Sequence, residues 1–222
     1  MELPYDINKW FSPRYAINYL WRLQRQLTDR ELKKSKYKKE HEAWILGVAL
    51  FGVMKMYGTK WWLQVPVDDP PDMKAMTIVP DEKKNINEMH HREVEIMQIT
   101  RYTNENIVNE ILIKLKNKAY IKETGLVVYL NRQTHIKDMR ELSADLKSAG
   151  VKVADIWVIA ATSPNEQEYI LFSLYPDVQA VSYNIIDEMK NLEIGDTIDM
   201  EFSKGIKMEL IRGAQVTKFI PH

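Results

Sequence analysis

Apolar positions along this chain recur with two periods, and the switches between them mark out its elements. Through residue 30, Trp10, Phe11, Tyr15, Tyr19, Leu20 and Trp21 suggest a helical arm with aromatic anchors. Such an arm can pack on the body of the protein or on a second copy. Residues 36–57 predict a helix that grows apolar toward its end, with Gly58 placed to cap it. Three strand-like runs follow, Trp61 to Val65, Lys74 to Val79 and Arg92 to Thr100. The turn Asp68-Asp69-Pro70-Pro71-Asp72 and a polar loop from Pro80 to Glu88 separate them.

The period then changes. Ile107, Val108, Ile111, Leu112 and Leu115 predict a helix over 103–118, which Thr103 or Asn104 can cap. Leu126 to Leu130 is a nearly continuous apolar run, as in a strand covered on both faces. A helix opening at Thr134 and ending at Gly150 precedes strands Ala154 to Ala160 and Tyr169 to Leu174. A short helix near 182–191 and a hairpin turning at Ser203-Lys204-Gly205 complete the chain. The expected fold is α/β, a mixed central sheet flanked by helices. Residues 1–35 form the arm and 36–176 the core. Residues 177–222 add a small helix and a β-hairpin appendage to the same domain.

Composition narrows the chemistry. The chain has 222 residues, no cysteine and zero formal net charge. Disulfides, thiolate metal sites and thiol nucleophiles are excluded, and a reducing cytoplasm is the expected setting. No signal peptide is recognisable, and the longest apolar stretch, Ala43 to Met56, is too short to span a bilayer. With no net positive charge, any nucleic-acid contact must come from a local patch. Arg22, Arg25, Arg30, Lys33, Lys34, Lys36, Lys38 and Lys39 face only Asp29, Glu31 and Glu40. That run reads either as a solvated helix face or as a phosphate-contacting surface, with Arg30 and the five lysines as the contacts.

The segment Glu93-Val94-Glu95 carries the most suggestive chemistry. Residues two apart in a strand share a face, so Glu93 and Glu95 point together while Val94, Ile96 and Gln98 take the other face. A hairpin centred near residue 84 puts Asp72 opposite about residue 96. Carboxylates buried together call for a cation. Mg²⁺ commonly takes one or two of them plus waters and substrate phosphate. Asp72 and Glu93 are the expected ligands, and Glu95 would orient or deprotonate water or bind a second ion; the alternative is an edge strand with a solvated acidic face. The acid-x-acid pattern itself recurs five times in the chain, so its position in an apolar run is what distinguishes this copy. His90 and His91 read as loop residues, and His41 as helix surface. His135, His222, Ser163 and Ser173 lack catalytic surroundings in the sequence. Trp61 and Trp62 read as buried strand aromatics rather than base-stacking platforms.

The order helix, three strands, helix, strand over residues 36–130, with Pro71-Asp72 and Glu93-Val94-Glu95, resembles the restriction-endonuclease-like PD-(D/E)xK nucleases. Glu95 stands where that family usually has lysine, a variation some members share. The resemblance implies a restriction-endonuclease-like core and hydrolysis of phosphodiester bonds in DNA, less readily RNA, with Mg²⁺ or Mn²⁺. It also implies a further acid from the first helix, for which Glu42 is the candidate. An alternative is an inactive nuclease fold acting as a nucleic-acid-binding subunit, or as an oligomeric one that self-associates through the aromatic arm. A third is a small-ligand enzyme of unrelated α/β fold.

Overall fold

The structure is a computed structural model. It describes residues 5–67, 70–81, 86–100, 107–116, 124–131, 138–151, 153–175, 177–199, 207–211 and 214–219. Strand β1 (Lys9–Phe11) leads into helix α1 (Pro13–Gln26). Proline at the first turn and the Ser12 hydroxyl, which accepts from the Tyr15 N–H, start that helix. A short helix α2 (Asp29–Leu32), started by a Thr28–Glu31 capping box, and a 3₁₀ turn at Ser35–Tyr37 lead to α3 (Lys38–Tyr57).

Helix α3 is buried continuously from Glu42 to Val53 because α1 covers one side and the sheet the other. It therefore shows no single apolar stripe. Gly47 permits the close crossing: an added Cβ would lie 3.1 Å from the Pro13 carbonyl oxygen. Gly58, with φ of 70°, ends α3 by donating its N–H to the Met54 carbonyl.

Strands β2 (Trp61–Gln64), β3 (Met73–Asp81) and β4 (Ile86–Thr100) form an antiparallel meander. Helix α4 (Ile107–Lys116) crosses to β5 (Gly125–Asn131), which runs parallel to β4. Helix α5 (Met139–Ser148) leads to β6 (Asp155–Ala161), parallel to β5. Strands β7 (Glu168–Tyr175) and β8 (Gln179–Asn184) turn back antiparallel before helix α6 (Ile185–Asn191). Strand β9 (Thr197–Asp199) pairs with β1, closing a nine-strand path ordered β8-β7-β6-β5-β4-β3-β2-β1-β9. Strands β10 (Lys207–Ile211) and β11 (Ala214–Phe219) form a hairpin whose second strand pairs with residues 87–91 of β4.

Two cores sit on opposite faces of this mixed sheet. Val94, Ile96, Val127 and Tyr129 pack under α3 and α1. Ile99, Leu126, Val128 and Val158 pack under α4 and α5 with Ile111, Leu142 and Leu146. Each such side chain taken from water contributes about 1.5–3 kcal/mol. Among the described residues, no helix is long and apolar enough to cross a membrane.

Several expected boundaries move. The segment from Pro80 to Glu88 is mostly ladder, with β3 reaching Asp81 and β4 beginning at Ile86, because pairing in the hairpin overrides the weak strand propensity of a polar sequence. His90 and His91 are accordingly strand residues rather than loop residues. Residues 182–184, read as the start of the last helix, are the end of β8, and the helix starts at Ile185, where the Asn184 side chain caps it. The C-terminal hairpin is 207–211 with 214–219, while β9 joins the opposite edge of the sheet. Helix α5 begins at Met139 behind the Asp138 cap. His135, His222 and Ser203-Lys204-Gly205 lie outside the described residues.

Candidate active site

The site is set by a mismatch in strand length. On one edge, β4 pairs with β3 only as far as Val94, opposite Met73, while its other edge carries β5 from Val94 to Thr100. Past Val94 the β3-side edge of β4 has no strand among the described residues, so its N–H and C=O groups need other partners. Asp72, one residue before β3, supplies the first: its Oδ2 accepts the Ile96 N–H at 2.8 Å. Lys114 supplies the second, donating to the Ile96 carbonyl at 3.1 Å.

The same lysine gathers two acids. Its Nζ lies 3.2 Å from Glu95 Oε2 and 3.7 Å from Asp72 Oδ2. Both acids are buried, Asp72 to 3% exposure and Glu95 to 1%. Continuing the register beyond the Met73–Val94 pair puts Asp72 across from Glu95. Glu93 stands instead opposite Lys74, about 6.6 Å farther along the strand. The structure thus brings Asp72 to Glu95, where the sequence reading made Asp72 and Glu93 the ligand pair.

Lys114 itself escaped that reading, which weighed acids on strands. Its position was nonetheless encoded. Ile107, Ile111 and Lys114 fall at i, i+4 and i+7 of α4, the inward stripe. A lysine on an inward stripe needs an anion, and Glu95 and Asp72 provide it.

Helix α3 completes the cluster from the other face of the sheet. Lys38 Nζ lies 3.2 Å from Glu42 Oε1 and 3.7 Å from Asp72 Oδ1. Lys39 Nζ lies 3.4 Å from Glu42 Oε2 and donates to the Asp72 carbonyl at 2.9 Å. Glu42 is buried, and its Oε2 has no hydrogen bond. Burial, reinforced by the negative Asp72 beside it, pushes the Glu42 carboxyl above its ordinary range, against the opposing pull of Lys39 and Lys38. Glu42, Asp72 and Glu95 therefore meet Lys38, Lys39 and Lys114 around one sheet fork.

The remaining expected contacts disperse. Arg30, Lys33, Lys34 and Lys36 are exposed, and the Lys36 ammonium sits 4.7 Å from the Tyr37 ring centre. Lys38 and Lys39, read from sequence as phosphate contacts, here engage the acids. Trp62 is buried in a small cluster with Trp10, Met76 and Met89. Ser173 is buried, and His41 contacts the Leu32 carbonyl at 3.2 Å.

A divalent ion is what the family resemblance implies, and the donors can be tested against it. No trio of acids or histidines in ion-holding geometry occurs among the described residues. Mg²⁺, however, needs only one or two carboxylates, with waters and substrate phosphate completing its shell. Asp72 and Glu95, which share the Lys114 ammonium, are hard oxygen donors of that kind, and Glu42 Oε2, ion-paired to Lys39 without a hydrogen bond, is a further one. The donor chemistry fits.

Comparison of the chain with family models, with curated proteins and with solved structures finds no match.

Proposed function

We infer that this protein is a nuclease-like, metal-dependent hydrolase of phosphodiester bonds in nucleic acid, DNA before RNA. The supporting observation is the junction of Asp72, Glu95 and Lys114 where β4 outruns β3. It gives a restriction-endonuclease-like reading of the core the lysine that Glu93-Val94-Glu95 lacks. Here the lysine comes from a helix rather than from the strand.

Asp72 and Glu95 would hold the Mg²⁺ or Mn²⁺, which when bound lowers the pKa of a coordinated water and neutralises charge on the phosphate. Lys114 would place a positive charge near the oxygens of the pentacoordinate phosphorus, which become more negative. Glu42, with its carboxyl raised by burial, is suited to take the proton from the attacking water. Water oxygen bonds to phosphorus, the bond to the leaving ester oxygen breaks, and that oxygen takes a proton from solvent. Glu93, opposite Lys74, would act at most through the strand it shares with Glu95. The test is cleavage of DNA by wild-type protein with Mg²⁺ or Mn²⁺ and its loss in Asp72→Asn.

A second reading has one observation in its favour. Each carboxylate at the fork faces at least one ammonium, so the cluster balances its charge without an added cation. A nucleic-acid-binding subunit of the same fold would look like this. Titration calorimetry with Mn²⁺ separates the two: binding abolished by Asp72→Asn supports hydrolysis, and no binding supports the subunit.

A further inference from the structure

Beside the fork, a cleft of about 920 Å³ opens over the α3 face of the sheet. Its floor is the C-terminal end of two parallel strands. Gln98 and Tyr129 are register partners on β4 and β5, as are Thr100 and Asn131. Open α/β sheets characteristically take ligands at the carboxyl ends of their parallel strands. Tyr129 is fixed by an edge-on contact with Trp44, ring centres 5.4 Å apart. The opposite wall comes from the segment after α1, where Lys33 and Lys34 stand exposed at the rim. Glu42 lines the cleft and touches Lys38, which reaches Asp72, so the cavity leads directly to the carboxylate cluster.

We propose that this cleft receives an unpaired nucleotide, making single-stranded nucleic acid the substrate class. The proposal rests on the hydrolase reading for its link to the fork, but its own observations are separate. The volume suits a compact ligand held inside a pocket, not the flank of a duplex. A base can enter such a pocket only when it is out of the stack. The neutral amides of Gln98 and Asn131 offer both donors and acceptors to a base edge. Lys33 and Lys34 at the rim meet the phosphates that flank it. Sequence parity turns Gln98 away from Glu95, and the fold makes that the cleft face.

The test is fluorescence anisotropy with a labelled single-stranded oligonucleotide of mixed sequence and with its duplex, both in EDTA. The expected result is at least tenfold tighter binding of the single strand. Lys33→Glu with Lys34→Glu, both exposed positions, should weaken it at least tenfold and lower the salt slope by about two. Gln98→Trp, also at an exposed position, should fill the cleft and weaken single-strand binding without altering that slope. Equal or tighter duplex binding, or single-strand affinity unchanged in these variants, overturns the proposal. Cleavage with Mg²⁺, measured in parallel, keeps the two readings apart. Cleft-dependent binding with no cleavage removes the hydrolase and leaves the cleft. Cleavage of duplex indifferent to Gln98→Trp does the reverse.

Discussion

The Lys114 ammonium lies 3.2 Å from the Glu95 carboxylate, joining helix α4 to a strand residue that is 1% exposed. Removing that ammonium leaves a buried negative charge short of its cation. Lys114→Met should therefore destabilise the fold by about 3 kcal/mol, read by urea unfolding, and should abolish hydrolysis. Adding Glu95→Gln should recover most of the stability and none of the activity. Stability that does not recover would mean Lys114 acts through Asp72 or the Ile96 carbonyl rather than through Glu95.

Glu42 carries a pH signature. Its carboxyl is raised above the ordinary 4.5, so just above that pH the folded chain holds a proton the unfolded chain has released. Stability then falls as pH rises from 4.5 through the raised value. Glu42→Gln removes this loss, so the variant should gain on wild type across that window and keep its advantage at neutral pH. Unfolding midpoints measured over pH should show the divergence. A constant offset would contradict it.

His91 should act in the opposite sense. Burial, with Lys74 and His90 nearby, lowers its pKa from 6.5 to about 4. Its ring sits 5.6 Å from that of Trp10. Between 6.5 and about 4 the unfolded chain binds the proton and the folded chain does not. Stability is thus complete above that window and lost as pH falls through it. His91→Gln should flatten this limb. A titration of the His91 ring by NMR should place its midpoint well below 6.5.

Packing of α3 on the sheet gives a prediction independent of the site. A Cβ at Gly52 would lie 2.7 Å from Leu171 Cβ and 2.9 Å from Tyr183 Cε1. Both neighbours are buried, and Tyr183 is tied to the Val48 carbonyl at 2.7 Å. Gly52→Ala should cost about 1–3 kcal/mol through overpacking, lowering the Tm. Gly58→Ala meets open space but a φ of 70°, so it should cost about 1 kcal/mol from backbone strain alone. Equal effects at the two positions would argue against the tight α3 contact.

The α/β class, the mixed sheet and most of its central elements were legible because their apolar periods are strong. Leu126 to Leu130 and the Ile107–Ile111 stripe are examples. Features set by distant partners were not. The end of strand β8, Ser182 to Asn184, reads as the start of a helix until β7 is available to pair with it. The C-terminal hairpin slipped because β9 finds its partner in β1, some 190 residues upstream. At the site, Asp72 and Glu42 were visible as candidates, while the choice between Glu93 and Glu95 depended on a register known only to within a residue or so. One residue decides which side chain faces Asp72. Lys114 was hidden because its acids come from other elements, so that only the inward stripe of α4 hinted at it.

The proposed hydrolytic centre is the Asp72–Glu95–Lys114 fork. It is tested most directly by incubating supercoiled plasmid and circular single-stranded DNA with the protein in Mg²⁺ or Mn²⁺. Wild type should cut at least one of them, EDTA should stop it, and Asp72→Asn should slow it by at least ~100-fold while retaining the wild-type fold by circular dichroism. No cleavage by wild type in either metal, or equal cleavage by Asp72→Asn, would contradict the claim.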